Sequence, residues 1–202
     1  MAAMEQAEQM AGGQGGAARP PVTPGPPDDA ARDADARALA SVIRVRILRL
    51  CLDEALTNKE IAHRLGKEPA ATFHHVRTLA GRGFLAAQSE RRGARGAREV
   101  PYLATRKSWR AATGPDQNRV LIDAFLADVD DADPSSLRAT RLGVRLDAAA
   151  YAELERRMAD IFQELADRPA DPAGTPYSIF LAIHEDAARL PTPTRLPDPQ
   201  PH

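Results

Sequence analysis

Sulfur and aromatic chemistry are scarce in this chain of 202 residues. It holds one cysteine, and aromatics make up 4% of it. A single cysteine excludes an internal disulfide and any site that needs two thiolates from one chain. Few aromatics leave a core of Leu, Val, Ile and Ala, which suits helices better than a large sheet. No apolar run approaches the roughly 18 residues that span a bilayer. Met1–Ala18 offers Gly, Gln and Glu where a signal peptide has a basic patch and an apolar stretch. The expectation is a cytoplasmic protein with no contact with a membrane.

The net charge is also small, −1, but it is unevenly spread. Residues 38–112 carry 15 Lys and Arg against 6 Asp and Glu, a net +9. The remainder carries 12 against 22, a net −10. A basic segment set between acidic ones is the electrostatic footprint of a polyanion binder.

Four regions are expected. Residues 1–35 are rich in Gly, Ala, Pro and Asp and lack a hydrophobic period, so they read as a disordered tail; residues 189–202, with their repeated prolines, read as another. Between them lie a basic domain, 36–112, and an acidic module, 117–188.

The basic domain opens with Leu39, Val42, Ile43, Ile47, Leu50 and Cys51 on one helical face. Cys51 there reads as a small buried hydrophobe. Thr57 and Glu60 have the capping-box spacing, so a short helix starts at Thr57, and Gly66 ends it with a positive φ. Pro69 suits the first turn of the next helix, 69–82, whose inward face holds Thr72, His75, Val76 and Leu79. His75 reads as a satisfied core histidine. Residues 84–88 and 100–105 bracket an Arg- and Gly-rich tip, as the two strands of a hairpin; Pro101 argues for an edge strand.

Helix, helix, turn, helix and a basic hairpin make a winged helix-turn-helix. A major groove about 12 Å wide admits one helix, and double-stranded DNA is the partner this order implies. Ala70, Ala71, Phe73, His74, Arg77 and Thr78 point outward on helix 69–82. Arg77 is placed to read guanine or bind phosphate, and His74 to donate to either. Phe73 either stacks on thymine methyls or lies at the edge of the core. Thr57, Lys59 and Lys67, on the elements before that helix, complete the set on the body of the domain. Arg91, Arg92, Arg95 and Arg98 at the wing tip are candidates for phosphate contacts, on the backbone or in the minor groove.

Thr57–Leu65, then Ala71-Thr72-Phe73-His74-His75-Val76-Arg77-Thr78-Leu79, then Gly83-Phe84-Leu85 resemble the ArsR-type winged-helix regulators of bacteria. The likeness covers about residues 36–112. It implies a homodimer that binds a palindromic operator, often a repressor released by a small-molecule effector. Thiolate metal sensing in that family uses a Cys-x-Cys pair, which this chain lacks, so no metal or cofactor is expected. The weight of Ala, Arg, Asp and Pro fits a high-GC, actinobacterial source.

The expected fold is mainly α with a small β-wing, followed by a small C-terminal α+β module. In that module a helix is expected over 117–131, a strand at 142–146, a long helix capped by Asp147 and a last strand at 177–183. Tyr151, Leu154, Met158, Ile161, Phe162 and Leu165 give the long helix a narrow apolar seam. Dimerisation through that seam is the first reading of the module, effector sensing the second, and autoinhibition of the basic face the third. His184-Glu185-Asp186 cannot converge on one ion from one strand. The residues show no phosphate loop, nucleophile elbow or His-Glu-x-x-His motif, so an enzyme is not expected. A winged helix used for protein contact alone is the rival reading.

Overall fold

A computed structural model of the chain describes residues 29–93, 96–111 and 114–190. Helix α1 (Asp29–Leu39) is followed by α2 (Val42–Leu50), strand β1 (Leu56–Thr57), α3 (Asn58–Arg64) and α4 (Pro69–Gly81). Strands β2 (Leu85–Ala87), β3 (Arg91–Arg92), β4 (Arg98–Glu99) and β5 (Pro101–Ala104) form the wing. After a 3₁₀ turn at Lys107–Arg110 come α5 (Pro115–Asp130) and α6 (Ala148–Asp167). The architecture is mainly helical with a small antiparallel sheet, a winged helix-turn-helix. Among the described residues no helix is long and apolar enough to cross a membrane.

The capping box forms as its spacing predicts. The Thr57 amide donates to Glu60 Oε2 at 2.8 Å and the Glu60 amide donates to Thr57 Oγ1 at 3.3 Å. Gly66 and Gly83 have φ of 62° and 72°, so a side chain at either would strain the turn that flanks α4. The core unites α2, α3, α4 and the sheet through Ile47, Leu48, Cys51, Leu56, Ile61, Val76, Leu79, Phe84 and Leu85. Cys51 is fully buried, and burial pushes its thiol up to about 12.

The wing differs from expectation in one respect. The three-stranded sheet has the order β1-β5-β2, so Pro101 opens a central strand, not an edge one. Leu56 lies opposite Tyr102, and Leu85 opposite Ala104. The proline is tolerated because it is the first residue of its strand, where its missing N–H costs least. Its carbonyl still accepts from the Gln88 amide at 2.8 Å. A two-residue β1 carries no periodicity of its own, so the third strand was not legible.

Helix α1 starts inside the segment expected as a disordered tail; residues 29–35 are helical. Asp29 in the first turn and Arg37 in the last suit the helix dipole. The helix is then anchored through Asp35, buried against Arg82 and Lys107, 47 and 72 positions away in sequence. Residues 1–28 and 191–202, with the rest of the two tail expectations, lie outside the described residues.

In the C-terminal half, α5 packs on α2, with Arg46 donating to Asp128 at 2.7 Å and to Asp131 at 2.5 Å. Asp147 caps α6, accepting from the Ala150 amide at 2.8 Å. Neither expected strand forms: 142–146 and 177–183 carry no helix and no strand pairing. Alternating residues supply one face of a strand but not its partner, and no edge within the described residues is offered to them. The module's aromatic side chains instead make single contacts, one within the module and one to the winged-helix domain. Phe180 stacks on Phe125 of α5 (centroids 4.8 Å apart) and Phe162 of α6 stacks on Trp109 (6.3 Å).

Candidate nucleic-acid interface

The turn between α3 and α4 is fixed by a small polar knot. Thr72 is fully buried, and its hydroxyl lies 2.9 Å from Asn58 Oδ1 and 3.1 Å from the Pro69 carbonyl. Asn58 Nδ2 donates to the same carbonyl at 2.8 Å. The first residue of α3 is thereby tied to the first turn of α4, and the angle between the two helices is set by side chains as well as by packing. The helical period places Thr72 inward, but no local spacing points to Asn58. The signal available was a buried hydroxyl at a helix–helix turn, which needs a partner.

This knot presents one face of α4 to solvent. Ala70, Ala71, Phe73, His74 and Arg77 are exposed; Thr78 is half-buried, its hydroxyl donating back to the His74 carbonyl at 2.9 Å. Phe73 is 50% exposed, which places it outside the core. The Arg77 guanidinium lies over the Phe73 ring, 5.8 Å from its centroid. That contact holds a flexible cation close to the helix surface at little cost. Lys59 on α3 and Lys67 in the turn are exposed as well.

Two residues sit otherwise than the sequence suggested. Thr57 is buried, with its hydroxyl and amide both committed to Glu60, so it caps α3 and does not join the exposed set. His75 is half-buried, and among the described residues its enclosed Nδ1 has no hydrogen-bond partner, so it is not the satisfied core histidine expected. Burial, with Arg44, His74 and Lys67 nearby, lowers its pKa and keeps the ring neutral.

On the wing, the ribbon β3–β4 pairs Arg91 with Glu99 and Arg92 with Arg98. Arg92 and Arg98 are exposed, Arg98 with a loose 3.5 Å pairing to Glu90. Arg91 is engaged: it reaches both carboxylate oxygens of Glu60, at 2.5 and 2.6 Å. Arg95 lies outside the described residues. The assembled surface is an exposed helix flanked by lysines, and a wing whose described arginines, Arg91, Arg92 and Arg98, are all exposed, Arg91 while paired with Glu60. It can meet a polyanion at several points while one helix enters a groove. Among the described residues no group of three or more His, Cys, Asp or Glu is placed to hold a metal ion.

Residues 52–89, which span α3, α4 and β2, match the family model of the IclR helix-turn-helix domain. The sequence motifs resemble the ArsR type instead; both are helix-turn-helix regulators, and the match covers too little of the chain to assign a family. No curated protein matches the chain. Among solved structures, it is similar to reduced HlyU from Vibrio cholerae N16961, 21% identical over 49% of this chain and 90% of that one, with a TM-score of 0.33. An ArsR-like transcriptional regulator from Rhodococcus sp. RHA1 is 20% identical over 67% of this chain and 92% of that one, TM-score 0.31. The homodimeric winged helix-turn-helix DNA-binding domain Mb0332 of Mycobacterium bovis is 23% identical over 60% of this chain and all (100%) of that fragment, TM-score 0.32. These likenesses are partial, and the domain match and the geometry above carry the conclusion: the chain holds a winged helix-turn-helix of the kind found in DNA-binding transcriptional regulators.

Proposed function

We propose that the chain is a sequence-specific transcriptional repressor that binds a palindromic operator as a homodimer. Helix α4 enters the major groove, with His74 and Arg77 against base edges and Phe73 against thymine methyls. Ala70 and Ala71, small and exposed, allow the first turn of the helix to approach the bases. Lys59 and Lys67 meet flanking phosphates, and Arg92, Arg95 and Arg98 of the wing reach the backbone or the minor groove. Arg91 joins them when DNA competes with Glu60.

One observation carries this reading. The exposed face of α4 bears an aromatic, a histidine and an arginine clear of the core, on the most basic segment of the chain. A solvated helix has no need of a half-exposed phenylalanine held beneath an arginine.

Selection of bound duplexes from a random pool tests it. A palindromic consensus with half-sites about one helical turn apart is expected. Recovery of no consensus, together with no binding to random duplex at low salt, would refute it.

A further inference from the structure

The winged-helix domain buries a contiguous apolar core and leaves Phe73 and Trp109 as its exposed large apolar residues among those described, whereas the C-terminal module leaves two whole segments uncovered. Leu142, Val144 and Leu146 are 80%, 51% and 44% exposed, and Tyr177, Ile179, Leu181 and Ile183 are 82%, 58%, 43% and 43% exposed. In each segment these are alternate residues, the pattern of one face of a strand. The backbones of 139–146 and 177–183 make no hydrogen bond to any described residue. Both segments therefore combine a strand's side-chain period with a free row of N–H and C=O groups, which is the description of an unpaired edge.

Between them lies α6, which buries no residue fully. Its seam is half-covered: Leu154, Met158 and Phe162 are half-buried, whereas Tyr151, Ile161 and Leu165 are exposed. An open groove of about 480 Å³ runs between Met158, Ala159 and Phe162 on the helix and Leu181 and Ile183 beside it, with the Glu155 carboxylate at its margin. Contiguous apolar surface of this kind marks an interaction site.

Charge selects the occupant. The first edge is basic, with Arg138, Arg141 and Arg145 and no acid between them. The second ends in Glu185 and Asp186, and residues 147–186, which include α6, hold nine acids against three bases. The two edges of one chain are complementary to each other in charge and alike in apolar pattern. A two-fold axis satisfies both at once, because each copy supplies the strand that the other lacks.

We propose that residues 139–146 of one copy pair as a β-strand with residues 177–183 of a second copy, and reciprocally, with the arginines of the first segment facing Glu185 and Asp186 beyond the end of the second, closing the two α6 seams over the groove. The proposal rests on the dimer reading above and names the surface that makes the dimer.

Sedimentation equilibrium of the full chain without DNA tests it. The unaltered chain is expected to be a dimer. Arg141→Glu with Arg145→Glu should weaken it about tenfold, as should Glu185→Arg with Asp186→Arg, and the four changes together should restore it. Ile179→Lys, at an exposed position, should give a monomer whose far-UV circular dichroism shows a folded chain. A monomeric unaltered chain at tens of micromolar overturns the proposal. So does a dimer that ignores all of these changes, or a fourfold variant no tighter than either pair. Titration of the same samples with random duplex separates the two readings. A dimer that ignores DNA sinks the DNA reading alone, and a monomer that binds DNA sinks the strand exchange alone.

Discussion

Arg91 on the wing donates to both carboxylate oxygens of Glu60, the residue that closes the N-terminal cap of α3, at 2.5 and 2.6 Å. The wing is thus latched to the helix-turn-helix by the same carboxylate that holds Thr57. A wing arginine counted from sequence as free for phosphate already has an anion.

Releasing that latch should strengthen nonspecific binding. Glu60→Gln retains an acceptor for the Thr57 amide and removes the charge that competes with phosphate for Arg91. The slope of log affinity for random duplex against log salt should steepen by roughly 0.9, the value of one added phosphate contact. Arg92→Ala should flatten it by a similar amount. Salt titrations of the three proteins read both, and a Glu60→Gln slope equal to the parent's would mean that Arg91 stays away from DNA.

The same carboxylate gives the cap a pH dependence. The Thr57 amide is the chief cause that holds Glu60 below its ordinary 4.5, and it, the Thr57 hydroxyl and Arg91 outweigh the opposing effect of burial. A lowered folded pKa means stability present above the unfolded value and lost as pH falls through the folded one. The stability difference between the parent and Glu60→Gln should therefore be flat above about pH 5 and shrink below 4.5. Urea unfolding at a series of pH values measures it.

Specificity should follow Arg77. Arg77→Ala is expected to lose about 1–3 kcal/mol of discrimination between the selected operator and a single-base variant. Affinity for random duplex should fall far less. Equal losses on both sequences would make Arg77 a phosphate contact and shift base reading to His74 or Phe73.

The polar knot at the turn should matter to both fold and binding. Thr72→Val removes the hydroxyl between Asn58 and Pro69 and should cost about 1–2 kcal/mol of stability. With α4 less firmly set on α3, operator affinity should fall although no groove-facing residue has changed. Thermal unfolding and operator titration of the one variant check the two effects.

Helix α1 should depend on Asp35. Burial opposes ionisation of this carboxyl, but hydrogen bonds and charge from Lys107 and Arg82 outweigh it and lower the pKa. Asp35→Ala strands two cations and should cost about 2 kcal/mol, less than a fully buried pair because both partners are part-exposed. Hydrogen exchange across 29–39 should rise selectively.

Local order was legible in the sequence. The cap at Thr57 and Glu60, the positive φ at Gly66, Pro69 at the start of α4, the wing and the Asp147 cap all depend on a few neighbouring residues, whose spacing states the geometry. The outward set on α4 followed from a helical period alone. Only the tertiary structure decided which charged side chains are free. Asp35 meets Arg82 and Lys107, and Glu60 meets Arg91, across separations that no local pattern encodes. It also decided that β1 joins the wing and that 142–146 and 177–183 find no strand partner among the described residues. A helix satisfies its backbone from its own residues, so its sequence suffices to propose it. A strand is completed by another edge, and where that edge lies is a property of the fold.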